Sequence, residues 1–225
     1  MIRPIIFLGS SETISIFADV CWDQDIPIAG IIDSDYYGNT DSIDGIPYIG
    51  SEQSADFEQL KKTHDFFIGV NPIPGVNRNI HKRQMFIDLI RSHDLPCANL
   101  IESQSRVGRL TTLGKGIFIG YCASIHSHVS IGDFCQIYAL SAVAHHSVLK
   151  ENVVVQRMVM VTSNTTIEDN AYIGMCSKLL KSPTMKVGAD SFVHPGITVM
   201  RDVDAGEVVS LTGRNSRKIY DTVVV

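Results

Sequence analysis

The chain predicts a parallel β-helix of hexapeptide repeats preceded by a small α/β domain with a parallel sheet, and three observations carry that reading. From Val107 to Leu179 an aliphatic residue returns every six positions: Val107, Leu113, Ile119, Ile125, Ile131, Ile137, Val143, Leu149, Val155, Val161, Ile167, Ile173 and Leu179. Four residues after most frame positions sits a small side chain, as at Thr111, Ala123, Cys135, Ser141, Ser147, Thr165, Ala171 and Ser177. Before the repeat, short apolar runs alternate with amphipathic stretches, the pattern of strands and helices in turn.

Period six fits neither a helix nor a simple alternating strand. It fits short flat strands joined by tight corners, with one large apolar residue per strand pointing inward. Three strands close a coil of eighteen residues, and coils stack at about 4.8 Å through backbone hydrogen bonds. Glycines follow several frame residues, at Gly108, Gly114, Gly120, Gly132, Gly174 and Gly188, where the corner is expected to need unusual backbone angles. After Leu179 the frame slips by two and continues at Val187, Val193 and Val199, so Lys181 to Thr184 is expected to form a small outward loop.

The elements ahead of the repeat follow in order. Residues 4–8 read as a buried strand entering the turn Gly9-Ser10-Ser11-Glu12-Thr13, then a helix from about Ser11 to Trp22. Residues 28–32 form a second strand ending at Asp33. A helix from about Glu52 to Lys62 precedes a third strand, 66–70, ending at Asn71. Residues 77–92 are helical again, and a short strand lies near 98–101. The division is therefore 1–97 for the α/β domain and 98–225 for the β-helix with its tail.

Composition narrows the function classes. A net charge of −5 without a basic run argues against nucleic acid as a partner. Ile5 to Leu8 is too short for a membrane span or signal-peptide core, so a cytoplasmic protein is expected. The five cysteines never form a CxxC pair, so no disulfide framework or thiolate metal site is expected.

Ligands of parallel α/β sheets collect beyond the carboxyl ends of the strands, where Gly9, Ser10, Ser11, Asp33 and Asn71 fall. The single-glycine turn is a weak dinucleotide signal, yet its amides and hydroxyls suit a phosphate, and Asp33 suits a ribose. Helix capping by Ser10 or Ser11 and a turn role for Asp33 are the structural alternatives. Arg214, Arg217 and Lys218 make the one modest cationic cluster. The repeat itself carries His126, His128, His145, His146 and His194, and a neutral histidine suits a general base near pH 7.

With these residues in view, the chain resembles the hexapeptide-repeat sugar O- and N-acyltransferases that include the sialic acid O-acetyltransferase and the bacillosamine and perosamine N-acetyltransferases. The resemblance rests on the Gly9 turn, the strand ending at Asp33, Asp65-Phe66-Phe67-Ile68 with Arg78 beyond, Asn99-Leu100-Ile101, Val143-Ala144-His145-His146 and Arg201-Asp202-Val203-Asp204-Ala205-Gly206. It implies a left-handed β-helix, a homotrimer, and acetyl-CoA lying between coils of adjacent subunits. A nucleotide-linked amino sugar would sit on the α/β domain through Gly9, Ser10, Ser11, Asp33 and Asn71. By position His145 is the base that takes a proton from the sugar amine or hydroxyl, with His146 beside it, and Gly174, Met175 and Gly196 would meet the acetyl donor.

The chain departs from the family pattern at named places. His146 stands where the family has an acidic neighbour, Val154 where some relatives have a second histidine, and Pro195 in a corner otherwise rich in glycine. Two other readings follow. One is a non-catalytic nucleotide-sugar-binding or assembly protein on the same fold. The other is a zinc hydratase like the β-helical carbonic anhydrases, with His126, His128 and His145 near one edge.

Overall fold

The computed structural model describes residues 2–72, 77–210 and 213–215, with backbone alone at 77, 78 and 213–215. Arg217 and Lys218 lie outside the described residues, as do the side chains of Arg78 and Arg214. The chain divides into two compact units, Met1–Leu100 and Ile101–Val225.

In the first unit, β1 (Ile5–Leu8) is the hydrophobic centre of the sheet, every residue buried between parallel neighbours on both edges. Its unbroken Ile-Ile-Phe-Leu run is what a strand covered on both faces requires. Helix α1 (Ile14–Asp23) buries Ile14, Phe17, Ala18 and Cys21, a stripe at spacings of three and four. Strand β2 (Ile28–Ile32) follows. Then β3 (Ser42–Ile43) and β4 (Ile46–Gly50) form a hairpin through Asp44 and Gly45, both at positive φ (50° and 79°). Asp-Gly is the dipeptide that such a two-residue turn prefers.

Two expectations are corrected here. The sheet, ordered β3-β4-β2-β1 with β5 (Asp65–Ile68) beside β1, is parallel except at its β3 edge, which pairs antiparallel with β4. The helix expected over Glu52 to Lys62 is the single turn α2 (Phe57–Leu60). Ahead of it Ser51 and Ser54 bond each other's backbone and hydroxyls, an alternative to helical bonding that serine side chains readily supply. Strand β5 (Asp65–Ile68) and helix α3 (Asn77–His93) complete the unit, with Phe86, Ile87 and Ile90 fully buried.

The second unit is three sheets of mostly two-residue strands, parallel except where 213–215 pairs antiparallel with 208–210 at the end of one sheet, the arrangement of a left-handed β-helix. Strands at 106–107, 124–125, 142–143, 160–161, 178–179 and 198–199 stack on one face. Their pairing advances by one coil, Ile125 beside Val143 and Val143 beside Val161. From Ile119 onward all frame residues are at most 3% exposed, and they form one core with the small residues between them. Most hydroxyls at those small positions are satisfied by the corners, the buried Ser191 Oγ, without a partner among the described residues, being an exception. Ser141 Oγ donates to Gln156 O at 2.6 Å and accepts from Val159 N at 3.1 Å. Ser147 does the same with Thr162 O and Thr165 N, so hydrogen bonds offset the burial of these two hydroxyls.

Corner geometry differs from the expectation. The glycines directly after the frame residue are not the left-handed ones. That conformation falls two residues later, mostly on non-glycine residues: Cys122, His128, Phe134, Leu140, His146, Asn152, Met158, Asn164, Asn170 and Cys176 all lie at φ of 52° to 63°. The glycines answer a space requirement instead, since a Cβ on Gly174 would come within 2.6 Å of Pro195 N and Val193 O of the next coil. At Lys181 to Thr184 the expected loop is present. There the pairing of Thr165 with Met185 absorbs two extra residues. Among the described residues no helix is long and apolar enough to cross a membrane.

Candidate active site

His145 and His146 stand on the corner that follows the strand Ala142–Val143. Val143 is buried in the prism, and Asn164 N donates to His145 O at 3.1 Å, so the corner backbone is held by the coil above. Both histidine side chains are exposed. Their Nδ1 atoms lie 2.9 Å apart and their rings are nearly perpendicular, at 89°. One coil below, His128 stacks on His146 with centroids 4.8 Å apart and planes 17° apart. His145 also lines an open groove with Arg106, Ser124, His126 and Ser127. An imidazole held by its neighbour at the edge of such a groove can take a proton from a group bound there. Among the described residues no three His, Cys, Asp or Glu side chains are placed to hold a metal ion.

Gly174, Met175 and Gly196 occupy a different corner, the one following the strands 172–173 and 192–193. The amide of Gly174 is spent on Val193 O and that of Gly196 on Met175 O, both at 2.8 Å. Among the described residues Met175 N makes no backbone hydrogen bond, so it is the backbone donor left of the three. Exposed apolar side chains continue along this corner, at Tyr121, Leu140, Met158 and Met175. Within one chain the imidazole corner and the Gly174–Met175 corner lie on separate edges of the prism, so a single copy does not bring them together.

In the first unit the residues at the carboxyl ends of β1, β2 and β5 do converge. Gly9 sits at φ +71°, and a Cβ there would strike Phe86 and Val70, so glycine is required twice over. Ser10 does not cap α1. Its amide and hydroxyl donate to Asp33 Oδ2 at 2.8 and 2.9 Å, and its oxygen lies 3.0 Å from Tyr48 OH. Ser11 Oγ donates to Gly69 O at 3.1 Å. The N-cap of α1 is Thr13, without a side-chain bond of its own to the helix.

Asp33 is fully buried, and its other oxygen accepts from Asp35 N and from Lys82 Nζ. Its acceptor positions are all taken by the chain's own groups, so it offers a ribose hydroxyl nothing directly. What it presents to the crevice is Lys82, which also bonds Asp35 Oδ2 at 2.6 Å and lies 5.6 Å from the centre of the Tyr36 ring. Tyr36 stacks on Tyr48 at 5.5 Å. Burial raises the Tyr48 phenol above its ordinary value. The Asp33 carboxylate adds to this, and the Ser10 hydrogen bond opposes it. Asn71 is 5% exposed, and its Oδ1 has no partner among the described residues.

Sequence reasoning missed Lys82, Tyr36 and Tyr48. The Asp44-Gly45 turn between Ile43 and Ile46 was a signal for the hairpin that carries Tyr48. Nothing local marks Lys82, which lies 49 residues from Asp33.

An α/β sheet followed by a prism of hexapeptide coils defines a structural class shared with sugar acetyltransferases. Three solved structures show how far the likeness extends. Perosamine N-acetyltransferase from Caulobacter crescentus, as a histidine-to-asparagine variant in complex with CoA and GDP-perosamine, matches with a TM-score of 0.81 at 20% identity, over 96% of this chain and 97% of that one. The acetyltransferase domain of PglB from Neisseria gonorrhoeae in complex with acetyl coenzyme A matches at 0.79 and 18% identity, over 95% and 98%. WeeI from Acinetobacter baumannii matches at 0.77 and 19% identity, over 94% and 98%. No protein-family model and no curated protein matches the chain. At these identities the shared property is the fold.

Proposed function

We propose that this protein transfers an acetyl group from acetyl-CoA to the amino group of a nucleotide-linked amino sugar, with His145 as the general base. The observation that carries the reading is an exposed imidazole, held by a second one, on a β-helix corner of a fold that matches an enzyme complexed with CoA and GDP-perosamine over nearly its whole length. In the reaction the amine attacks the thioester carbonyl. A C–N bond forms as His145 takes the amine proton, and the C–S bond breaks with the thiolate of CoA leaving. Transfer to a sugar hydroxyl follows the same steps.

Met175 N, with Gly174 and Gly196 shaping its corner, is the surface we assign to the acetyl donor. That corner reaches a histidine pair only if another copy supplies the pair. A three-sided prism whose corners meet head to tail closes as a trimer, and the exposed Leu140, Met158 and Met175 favour burial there. Ser10, Ser11, Asn71 and Lys82 would hold the nucleotide portion. Asp33 fixes Ser10 and Lys82, and the Asn71 oxygen, without a partner among the described residues, is open to a donor.

The test is free-thiol release from acetyl-CoA with a panel of nucleotide-linked amino sugars, beginning with GDP-perosamine. His145→Ala is expected to keep the oligomer and to lower turnover by about 10²- to 10⁴-fold, the usual worth of a positioned base. Undiminished turnover in that variant rejects His145 as base. The imidazole at position 146, where relatives carry a carboxylate, favours one second reading, a nucleotide-sugar-binding protein without transfer. Binding of the sugar nucleotide with no thiol release across the panel would establish it.

A further inference from the structure

We propose that His146, as a neutral imidazole, accepts the Nδ1–H of His145 and thereby keeps the lone pair of His145 on Nε2. Two imidazole nitrogens 2.9 Å apart form a hydrogen bond only when one carries the proton and the other the lone pair. If His146 donated, His145 would carry its proton on Nε2 and have no base to offer the groove. If His145 donates, Nε2 is free. The groove favours the second arrangement. Arg106 and His126 line it with His145, and a cation there is better faced by a lone pair than by another N–H.

The acceptor is held in place from below. His146 sits at φ 60° and His128, one coil earlier, at φ 63°, so both rings leave their corners in the same way and stack. That stack sets the His146 ring perpendicular to His145, with Nδ1 directed at its neighbour. His146 is thus a positioning residue, and His128 supports it. That role rests on the reading of His145 as base, whereas the tautomer does not.

A carboxylate in this position would stay charged throughout the neutral range, whereas a neutral imidazole accepts the same bond without a charge. When His145 gains a proton, it becomes a cation donating to neutral His146, a charge-assisted bond. Only when both Nδ1 atoms carry protons is the acceptor gone and the contact broken. His128 lies beneath the pair, and Arg106 and His126 lie along the groove.

The experiment is nitrogen-15 NMR of the histidine side chains in the full-length protein, with long-range proton correlations that distinguish Nδ1–H from Nε2–H. Signals are assigned by their loss in His145→Ala and His146→Leu. In the wild-type protein above the titration range, His145 is expected as Nδ1–H and His146 as Nε2–H. In His146→Leu the Nδ1–H form of His145 should cease to dominate. Leucine fits this corner, since Leu140 holds the equivalent position at φ 62°. In His146→Asp, His145 should remain Nδ1–H while its titration midpoint rises by about one pH unit or more. Asp190 fills the matching position at φ 55°, so this variant serves if the leucine variant does not fold. His145 found as Nε2–H in the wild type, an unchanged tautomer in His146→Leu, or an unmoved midpoint in His146→Asp would each overturn the assignment. Absence of acetyl transfer with the expected tautomers would count against the transfer reading and leave this one standing.

Discussion

A Cβ on Gly188 would lie 2.4 Å from the amide nitrogen of Ala205, whereas one on Gly196 would meet nothing within 4 Å but would have to occupy φ +76°. The first is a clash between neighbouring coils, and the second is a backbone preference at an exposed corner. Gly188→Ala must therefore push coils apart, at an overpacking cost of about 1–3 kcal/mol. Gly196→Ala costs about 1 kcal/mol for the left-handed conformation alone. Denaturant midpoints of the two variants should separate in that order, and equal shifts would show that corner φ rather than coil spacing governs these glycines. The same distinction explains why glycine after a frame residue was misread from sequence. A residue string reports that a side chain is missing, not which neighbour forbids it. The left-handed positions were hidden because histidine, leucine, methionine and asparagine fill them.

At the scale of single elements, α1 shows how burial couples to pH. Cys21 is fully inside the first unit, and burial pushes its thiol up to about 12. A folded-state value above the unfolded one means the native form holds the proton more tightly. The resulting stability is complete below the ordinary thiol value of about 8.5 and is lost as pH climbs toward the raised value. Tyr48 and Tyr172 are raised as well, but they begin to contribute only above the ordinary phenol value of about 10. Between pH 8.5 and 10 the melting temperature of the first unit should therefore fall with a slope that Cys21→Ala removes. Identical slopes in the two proteins would mean that the thiol is not the titrating group. Most of this unit's elements were readable because apolar runs and helical stripes are local. The β3–β4 hairpin was passed over although Asp44-Gly45 marks it, and α2 came out short because Ser51 and Ser54 bond locally instead.

For the molecule as a whole, the proposed reaction makes assembly a condition of activity, because the imidazole corner and the Met175 corner belong to different edges of one prism. The 24.8 kDa chain is expected to run at three times its mass in light scattering. Met158 is 55% exposed in a single chain, and aspartate is tolerated in the left-handed position it holds, as Asp190 demonstrates. Met158→Asp should thus leave the fold within about 0.5 kcal/mol of the parent. It should also dissociate the oligomer and abolish thiol release. A monomeric but fully active variant would place the whole reaction on one chain.

The sequence by itself determined the prism: the six-residue frame, the eighteen-residue coil, and with them the gathering of His126, His128 and His145 near one edge. Such a solenoid is nearly one-dimensional, each coil meeting only the coils beside it, so its contacts recur at a fixed separation that a sequence displays directly. Only the tertiary structure decided that Asp33 is spent on Ser10 and Lys82, that Tyr48 reaches Ser10 across 38 residues, and that the Nδ1 atoms of His145 and His146 meet. Those outcomes depend on how separate elements fold onto one sheet and on which way side chains turn, and neither leaves a period in the chain.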